Sequence, residues 1–533
     1  MPGRVTPLEM APADFRRVGH ELVDRIADFL GTLRERPLTS GETPTDIRNL
    51  LGRGPLPATG TAPAALLAET ATLLFDHSLF NGHPRFMGYI TSSAAPLGAL
   101  ADLLAASVNP NVGGWELSPM ASEIEAQTVR WVAELVGYPA DGGGLLVSGG
   151  NGANFVCFLA GRRAMLGESA RTAGLPQGRG ALRVYTSGAA HTWIQKACDL
   201  FGLGTDAIRW IPTDDAQRMR ADLLRAQIRE DLACGDRPIM VVGTAGSVST
   251  GAVDPIRELA EICREHQLWL HVDGAYGAPA AVLPGVPDDL HALALADSLA
   301  VDPHKWLYAP IEAGCALVRE PRLLREAFSY TPAYYRFDTE GEEPPINYYE
   351  LGPQNSRGFR ALKVWLGLRQ AGREGYVRMI GDDCRLAEAL HGQAAAHPEL
   401  EAATLGLSIA TFRYVPADLR GVASAEPYLN ALNEALLARL KLGGELFVTN
   451  AVLDGRFLLR ACIVNFRTTD ADVAMIPEIV ATAGRLVDAE LRPGDGRPER
   501  SEGLPHPRSS SARQDPSPPR SLPSSEAKGP GSG

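Results

Sequence analysis

The chain has 533 residues, too many for one simple hydrophobic core and enough for a large domain with smaller ones appended. Acidic residues outnumber basic ones, 63 to 51, which disfavours a nucleic-acid binder because that role needs a basic stripe to displace counterions. The seven cysteines are scattered without a CxxC pair and no stretch reaches the apolar length of a membrane span, so neither a disulfide frame, a zinc site nor a membrane segment is expected.

Phe15, Val18, Leu22, Ile26 and Leu30 recur at helical spacing with Arg16, Arg17, Glu21 and Asp24 between them. This predicts an amphipathic helix whose apolar stripe must cover another surface. Glu9, Asp14, Glu21 and Asp24 interrupt any signal-peptide-like run, so a cytoplasmic location is expected. A Pro/Gly/Thr-rich connector spans residues 53–64, and a second helix follows from about Ala64. Residues 1–85 therefore read as a helical N-terminal segment.

Residues 86–374 alternate short apolar runs with helical patterns. Gly144–Val147, Val184–Thr186, Met240–Gly243, Trp269–Val272 and Ser298–Val301 fit strands buried on both faces. A helix over Pro255–His266 lies between two of them, as a crossover between parallel strands should. The alternation predicts a large α/β domain with a mostly parallel sheet. Residues 375–490 change to helix, strands near Leu407–Tyr414 and Phe457–Val464, and a helix from about Asp470, which suits a smaller α+β domain. Residues 491–533 are Pro, Ser, Gly and Arg with few apolar residues, too few to offset ordering entropy, and read as a disordered tail. No internal repeat is present.

Four loops at the ends of these strands carry matched chemistry. Ligands of open α/β sheets sit at the carboxyl ends of the strands, where all four fall. Ser148-Gly149-Gly150-Asn151-Gly152 follows a strand and opens an apolar helix, so its backbone N–H groups and helix N-terminus suit an oxyanion. A plain strand–helix turn is the alternative. In His271-Val272-Asp273-Gly274-Ala275-Tyr276 an acid ends a buried strand and needs a donor or cation, which a protonated pyridine nitrogen would supply. An Asp capping the next helix is the plainer reading. In Ser298–Trp306 a strand runs into Asp302-Pro303-His304-Lys305, where desolvation is expected to depress the lysine pKa and make it an amine nucleophile. A lone Lys is more often solvated, but the strand ending in Asp273 is expected to neighbour this one. Ala190-His191-Thr192 offers an imidazole able to stack on a ring and to donate a proton.

With these residues in view, the chain resembles the group II pyridoxal-phosphate (PLP) decarboxylases, the family of aromatic-amino-acid, histidine and glutamate decarboxylases. HVDGAYG and DPHKW at this separation carry the resemblance, which runs from about Asp14 to about Ala483. It implies an α/β fold, PLP-dependent transferase fold type I, with a large seven-stranded-type sheet. It also implies PLP as cofactor and a homodimer with shared active sites. Carried over, Lys305 is the Schiff-base lysine, Asp273 pairs with the pyridine nitrogen, Ala275 contacts the ring and His191 stacks on it. Gly150 and Asn151 hold the phosphate with Ser298 and His304. Thr244 orients His191 and the cofactor, and Ser356 reaches across from the partner subunit.

The same resemblance puts the substrate side at Tyr89, Ile90, Ser92 and Gly113. It assigns protonation at Cα to Tyr334, in Thr331-Pro332-Ala333-Tyr334, where relatives with Phe tend toward oxidative deamination to aldehydes. Tyr89 stands where glutamate decarboxylases commonly carry glutamine, so glutamate is disfavoured. Asn81 and Gly113 stand where animal aromatic decarboxylases carry bulky aromatics, so the pocket is reshaped. Ser356, where serine goes with phenols or imidazole and glycine with indoles, favours tyrosine, DOPA-like compounds or histidine over tryptophan. The expected activity is decarboxylation of an aromatic or related L-amino acid to the amine and carbon dioxide. An aldehyde synthase or aminotransferase-like enzyme on the same scaffold is the alternative. A non-catalytic scaffold protein would have lost Lys305 or Asp273, and a nucleotide-binding Rossmann protein would carry a GxGxxG after its first strand.

Overall fold

The structure is a computed structural model that describes residues 6–176, 180–330 and 345–492. The N-terminal segment holds α1 (Pro12–Thr32), α2 (Pro44–Leu51) and α3 (Pro63–Asp76). α1 packs on α3, where Phe29 stacks on Phe75 with centroids 4.6 Å apart; of the predicted stripe Val18 is buried while Phe15 stays exposed. Arg34 then reaches Asp472 near the chain's last described helix at 2.7 Å. The sequence reading missed α2, although Thr43 and Asp46 cap it reciprocally, because eight residues carry too little periodicity to register.

In chain order there follow α4 (Pro96–Val108), α5 (Pro119–Leu135), β1 (Gly143–Val147), α6 (Gly149–Leu166), α7 (Ser169–Thr172), β2 (Leu182–Ser187) and α8 (Trp193–Leu200). Next come β3 (Ile208–Ile211), α9 (Ala221–Ala233), β4 (Arg237–Thr244), α10 (Ile256–His266), β5 (Trp269–Asp273), β6 (Ser298–Val301), β7 (Gly314–Val318) and α11 (Arg322–Phe328). The seven strands form one sheet in the order β1-β7-β6-β5-β4-β2-β3. From β6 through β3 all pairings are parallel, with α10 as the crossover from β4 to β5. β7 runs antiparallel to both β6 and β1. The sequence does not single out this reversed strand, because a five-residue apolar run is ambiguous by itself. Its reversal matters for the site. It sends β1 in the same direction as β6, so the loops after both emerge at one edge.

The second sheet is wholly antiparallel, ordered β10-β11-β9-β8. It comprises β8 (Leu400–Gly406), β9 (Ile409–Tyr414), β10 (Thr449–Leu453) and β11 (Arg456–Cys462). α13 (Glu426–Gly443) and α14 (Asp470–Leu491) cover it, burying Leu432, Leu436, Val473, Ile476 and Val480. The helix expected after Gly375 in fact begins earlier. α12 (Ala361–Ala396) packs on α4 and α5, breaks at Gly372 where φ is +63°, and continues onto β8 and β9. Both sheets belong to one compact unit, Met1–Leu491. Among the described residues no helix is long and apolar enough to cross a membrane, and no group of His, Cys, Asp or Glu could hold a metal ion.

Candidate active site

The loops that leave β1, β2, β4, β5 and β6 surround one cavity of about 380 Å³. It brings together Gly150, Asn151, His191 and Thr244 with Asp273, Ala275, His304 and Lys305. Sheet register accounts for the meeting of acid and amine. β5 and β6 are adjacent, with Asp273 level with Ala300, so their carboxyl ends open side by side. The chain then turns tightly, Asp302 N–H donating to Ala275 O at 3.1 Å and Lys305 N–H to Asp302 O at 2.8 Å, which returns the lysine to the strand end. A larger hollow of about 700 Å³ lies by α5, β1 and α11, but among the described residues no lysine, histidine or cysteine lines it.

At the first loop, Gly149 takes φ +75°, and a Cβ on Gly150 would stand 2.5 Å from Asp302 Oδ2. Only glycine fits both positions, so the first backbone N–H groups of α6, an 18-residue helix, are left bare toward the cavity. That is the physical requirement for holding a phosphate.

Asp273 is almost fully buried, and two donors hold its carboxylate. Trp193 Nε1–H donates to Oδ2 at 2.7 Å, and the Ala275 N–H to Oδ1 at 3.1 Å. Sequence reasoning passed over Trp193. Its signal was an aromatic residue opening the helix after His191-Thr192, and nothing local tells where an indole N–H will find its acceptor. Trp193 also donates its backbone N–H to His191 Nδ1 at 3.3 Å, and burial lowers the His191 pKa. Thr244 Oγ1 is buried without a hydrogen-bond partner. Its backbone N–H donates to Asp254 at 2.8 Å, a carboxyl that burial raises to about 6.

The lysine departs from expectation. Burial does pull the Lys305 pKa down, but Asp302, whose Oδ2 lies 2.9 Å from Nζ, and Asp273 outweigh it and leave it raised. The sequence reading counted desolvation and omitted the neighbouring acid.

Ser298 also departs. It starts β6, at the far end from the cavity, and is fully buried. Its Oγ takes the Trp269 indole N–H at 2.9 Å and bonds His271 Nδ1 at 2.9 Å. His271 Nε2 reaches Asn154 Oδ1 at 2.7 Å, so Ser298 belongs to a polar chain beneath the site rather than to the phosphate cup.

Of the four residues expected on the substrate side, Ile90 lines the cavity. Tyr89 does not: it is exposed, its ring 6.2 Å from that of Phe447. Ser92 is buried and donates to His304 O at 2.8 Å, supporting the lysine turn from behind. Gly113 and Ser356 fall outside the cavity but close to each other, since a Cβ on Gly113 would meet Asn355 O. Tyr334 lies outside the described residues.

An amine able to bond an aldehyde and a carboxylate able to hold a ring nitrogen share this cavity with a bare helix N-terminus. That set fits pyridoxal phosphate, and the partnerless Thr244 Oγ1 is one more polar atom awaiting a ligand. The class so defined is the PLP-dependent enzymes of fold type I. Residues 57–415 match the family described as the pyridoxal-dependent decarboxylase conserved domain. An aromatic-L-amino-acid decarboxylase of Bacillus atrophaeus is 32% identical over 470 residues, 88% of this chain and 95% of that protein. A phenylacetaldehyde synthase of Petunia hybrida is 28% identical over 462 residues, 85% of this chain and 90% of that one. Among solved structures, Oryza sativa TDC with PLP and tryptamine superposes with a TM-score of 0.82 at 25% identity, covering 91% of this chain and 99% of that one. The chain belongs to the pyridoxal-dependent decarboxylase family, and is a PLP-dependent carboxy-lyase acting on an amino acid.

Proposed function

We propose that the protein decarboxylates an aromatic or related L-amino acid, of tyrosine, DOPA, tryptophan or histidine type, to the amine and carbon dioxide. The carrying observation is the opening of Asp273 and Lys305 into one cavity from adjacent strands. When bound, pyridoxal phosphate supplies the electron sink that stabilises negative charge at the substrate Cα once carbon dioxide leaves.

The chain's own residues bind, orient and move protons. The N-terminus of α6, with Gly150 and Asn151, holds the phosphate, and His304 lies alongside. Asp273, oriented by Trp193, keeps a proton on the ring nitrogen. Ala275 is small enough to leave room for a flat ring, and the His191 imidazole, on the same cavity, would stack on it. Thr244 offers its free hydroxyl to the same group. Lys305 would hold the cofactor through its side-chain amine, which opens into the cavity. Tyr334 is assigned the proton that returns to Cα. Preorganised orientation of this kind supplies most of the acceleration.

The aromatic preference rests on the Bacillus relative's name and on the cavity wall. Ile90 and Val248 supply apolar surface, and Glu312 is engaged by Arg360 at 2.8 Å, leaving that carboxylate occupied. We place the enzyme in the cytoplasm as a homodimer. Leu100, Leu103, Leu104 and Val108 leave an apolar stripe of α4 exposed in the single chain, which a second copy would cover. In that arrangement Ser356 and Gly113 serve the partner's cavity.

A panel of L-amino acids scored for amine and carbon dioxide in equal amounts tests the proposal. Lys305→Ala is expected to abolish both the visible absorbance of the lysine-linked cofactor and activity; retention of both refutes the attachment site. The Petunia relative favours aldehyde synthesis as a second reading. Aldehyde with hydrogen peroxide in place of amine would establish it. Tyr334→Phe is expected to retain the cofactor while lowering amine yield.

A further inference from the structure

We propose that Asp302 gates cofactor attachment: its buried carboxylate holds the Lys305 amine as an ammonium ion, and this pair must be undone before the amine can bond an aldehyde. The inference rests on the reading of Lys305 as the attachment point.

Asp302 Oδ2 stands 2.9 Å from Lys305 Nζ, and the carboxylate side chain is only 2% exposed. Its Oδ1 is buried with no hydrogen-bond partner, and its Oδ2 also lies 3.9 Å from His304 Nε2, so the acid faces the lysine at the shorter distance, that imidazole and the cavity. Both residues sit on one turn, closed by the bond from Lys305 N–H to Asp302 O at 2.8 Å and anchored by that from Asp302 N–H to Ala275 O at 3.1 Å. Backbone movement therefore cannot part them without dismantling the strand end. A lysine in contact with a desolvated carboxylate keeps its proton, since separating or neutralising one partner leaves the other charge buried.

Other charged groups face the lysine from each packed element. Asp273 at the end of β5 acts with Asp302, whereas burial pushes the Cys462 thiol on β11 up to about 11 and leaves it uncharged near neutral pH. His191, before α8, and His304, on the lysine's own turn, also line the cavity. Glu312 is bound by Arg360. Among the described residues, Asp302 is the acid that forms an ion pair with the amine.

The chemical requirement is simple. A protonated amine has no lone pair. Lys305 must first release one proton to solvent; its nitrogen then attacks the aldehyde carbon of the incoming cofactor and a carbon–nitrogen bond forms. The aldehyde oxygen departs as water, carrying the two hydrogens left on nitrogen, and a carbon–nitrogen double bond remains. No oxidant or reductant is needed. The attachment rate then follows the neutral fraction of Lys305, rising about tenfold per pH unit while the ammonium form dominates.

The test uses the full chain freed of cofactor and mixed with pyridoxal phosphate, and separately with pyridoxal, which lacks the phosphate. Growth of the visible absorbance is followed from pH 6 to pH 9 in wild type and in Asp302→Asn. The wild-type rate is expected to climb with pH across the range. Asp302→Asn, which keeps the volume and removes the charge, is expected to attach both aldehydes at least about tenfold faster at pH 7, because one unit of lost stabilisation of the ammonium is a tenfold change. Acceleration with pyridoxal phosphate alone would mean that the carboxylate acts on the phosphate, and would overturn the gate. So would an equal or slower rate in the variant. Should the variant fail to fold, the wild-type profile still decides, since a rate flat with pH is incompatible with a lysine held charged. Attachment persisting in Lys305→Ala would remove the attachment site itself, an outcome distinct from any of these.

Discussion

Arg357→Met probes the buried scaffold that fixes the segment carrying Ser356. Arg357 pairs with Glu125, and the two side chains are 1% and 0% exposed. The same guanidinium donates to Val112 O at 2.8 Å and Leu146 O at 2.6 Å, and Glu125 accepts from Leu146 N–H at 2.9 Å. One pair thus ties β1 to the strip from Asn111 to Gly113 and to the segment around Ser356. Methionine fills similar volume but leaves Glu125 as an uncompensated buried charge, a loss of about 3–5 kcal/mol. Unfolding entropy of about 2.1 cal/mol/K per residue, summed over a unit of roughly 490 residues, gives about 1 kcal/mol per degree. The thermal midpoint should therefore fall by about 3–5 °C at fixed cofactor concentration. Arg322→Met is the control: its side chain is 67% exposed, its partners Glu320 and Glu326 lie at the surface, and no measurable change is expected. Scanning fluorimetry of both variants decides. Coincident midpoints would refute the argument that burial makes the Glu125–Arg357 pair costly to break.

Three further outcomes follow from the site. Gly150→Ala should weaken cofactor binding about tenfold or more, or about 1.4 kcal/mol, because the new methyl meets Asp302 Oδ2 at 2.5 Å; an absorbance titration with unchanged affinity would contradict the phosphate-cup geometry. Ser298→Ala should lower stability by about 1–3 kcal/mol, since His271 and Trp269 lose their shared partner, while cofactor affinity stays as in wild type; reduced affinity with unchanged stability would restore Ser298 to the cup. Burial pushes His271 from 6.5 down to about 4. Between those values the unfolded chain binds a proton that the folded one refuses, so stability falls as pH drops through the window, by up to about 3 kcal/mol. His271→Gln should flatten that acid limb in melts from pH 7 to pH 4, and an unaltered slope would count against it.

Much of the site is legible in the amino-acid sequence, because its parts lie in short contiguous runs. An acid directly after Trp269–Val272 and a lysine shortly after Ser298–Val301 are local patterns, and strand direction places both at carboxyl ends. Gly149 and Gly150 are legible as a strand running into glycines and a helix, although that motif alone leaves a plain strand–helix turn open, and the neighbouring loops decide for the anion site. Substrate-side residues are less so. Tyr89 and Gly113 sit in turns and Ser92 in an irregular connection, and their course depends on Phe447, His304 and Asn355, all distant in sequence.

What the sequence alone determined is the succession of buried strands and helices and the identity of the groups at their ends, because periodicity and turn chemistry act over a few residues. Tertiary structure decided which groups face one another. Reversal of β7 brought the loop after β1 to the same edge as Lys305, the indole of Trp193 found Asp273, and Asp302 met the amine closely enough to reverse the direction of its pKa. Each depends on pairing between segments far apart along the chain. An electrostatic environment is a sum over distances, which a linear order of residues does not contain.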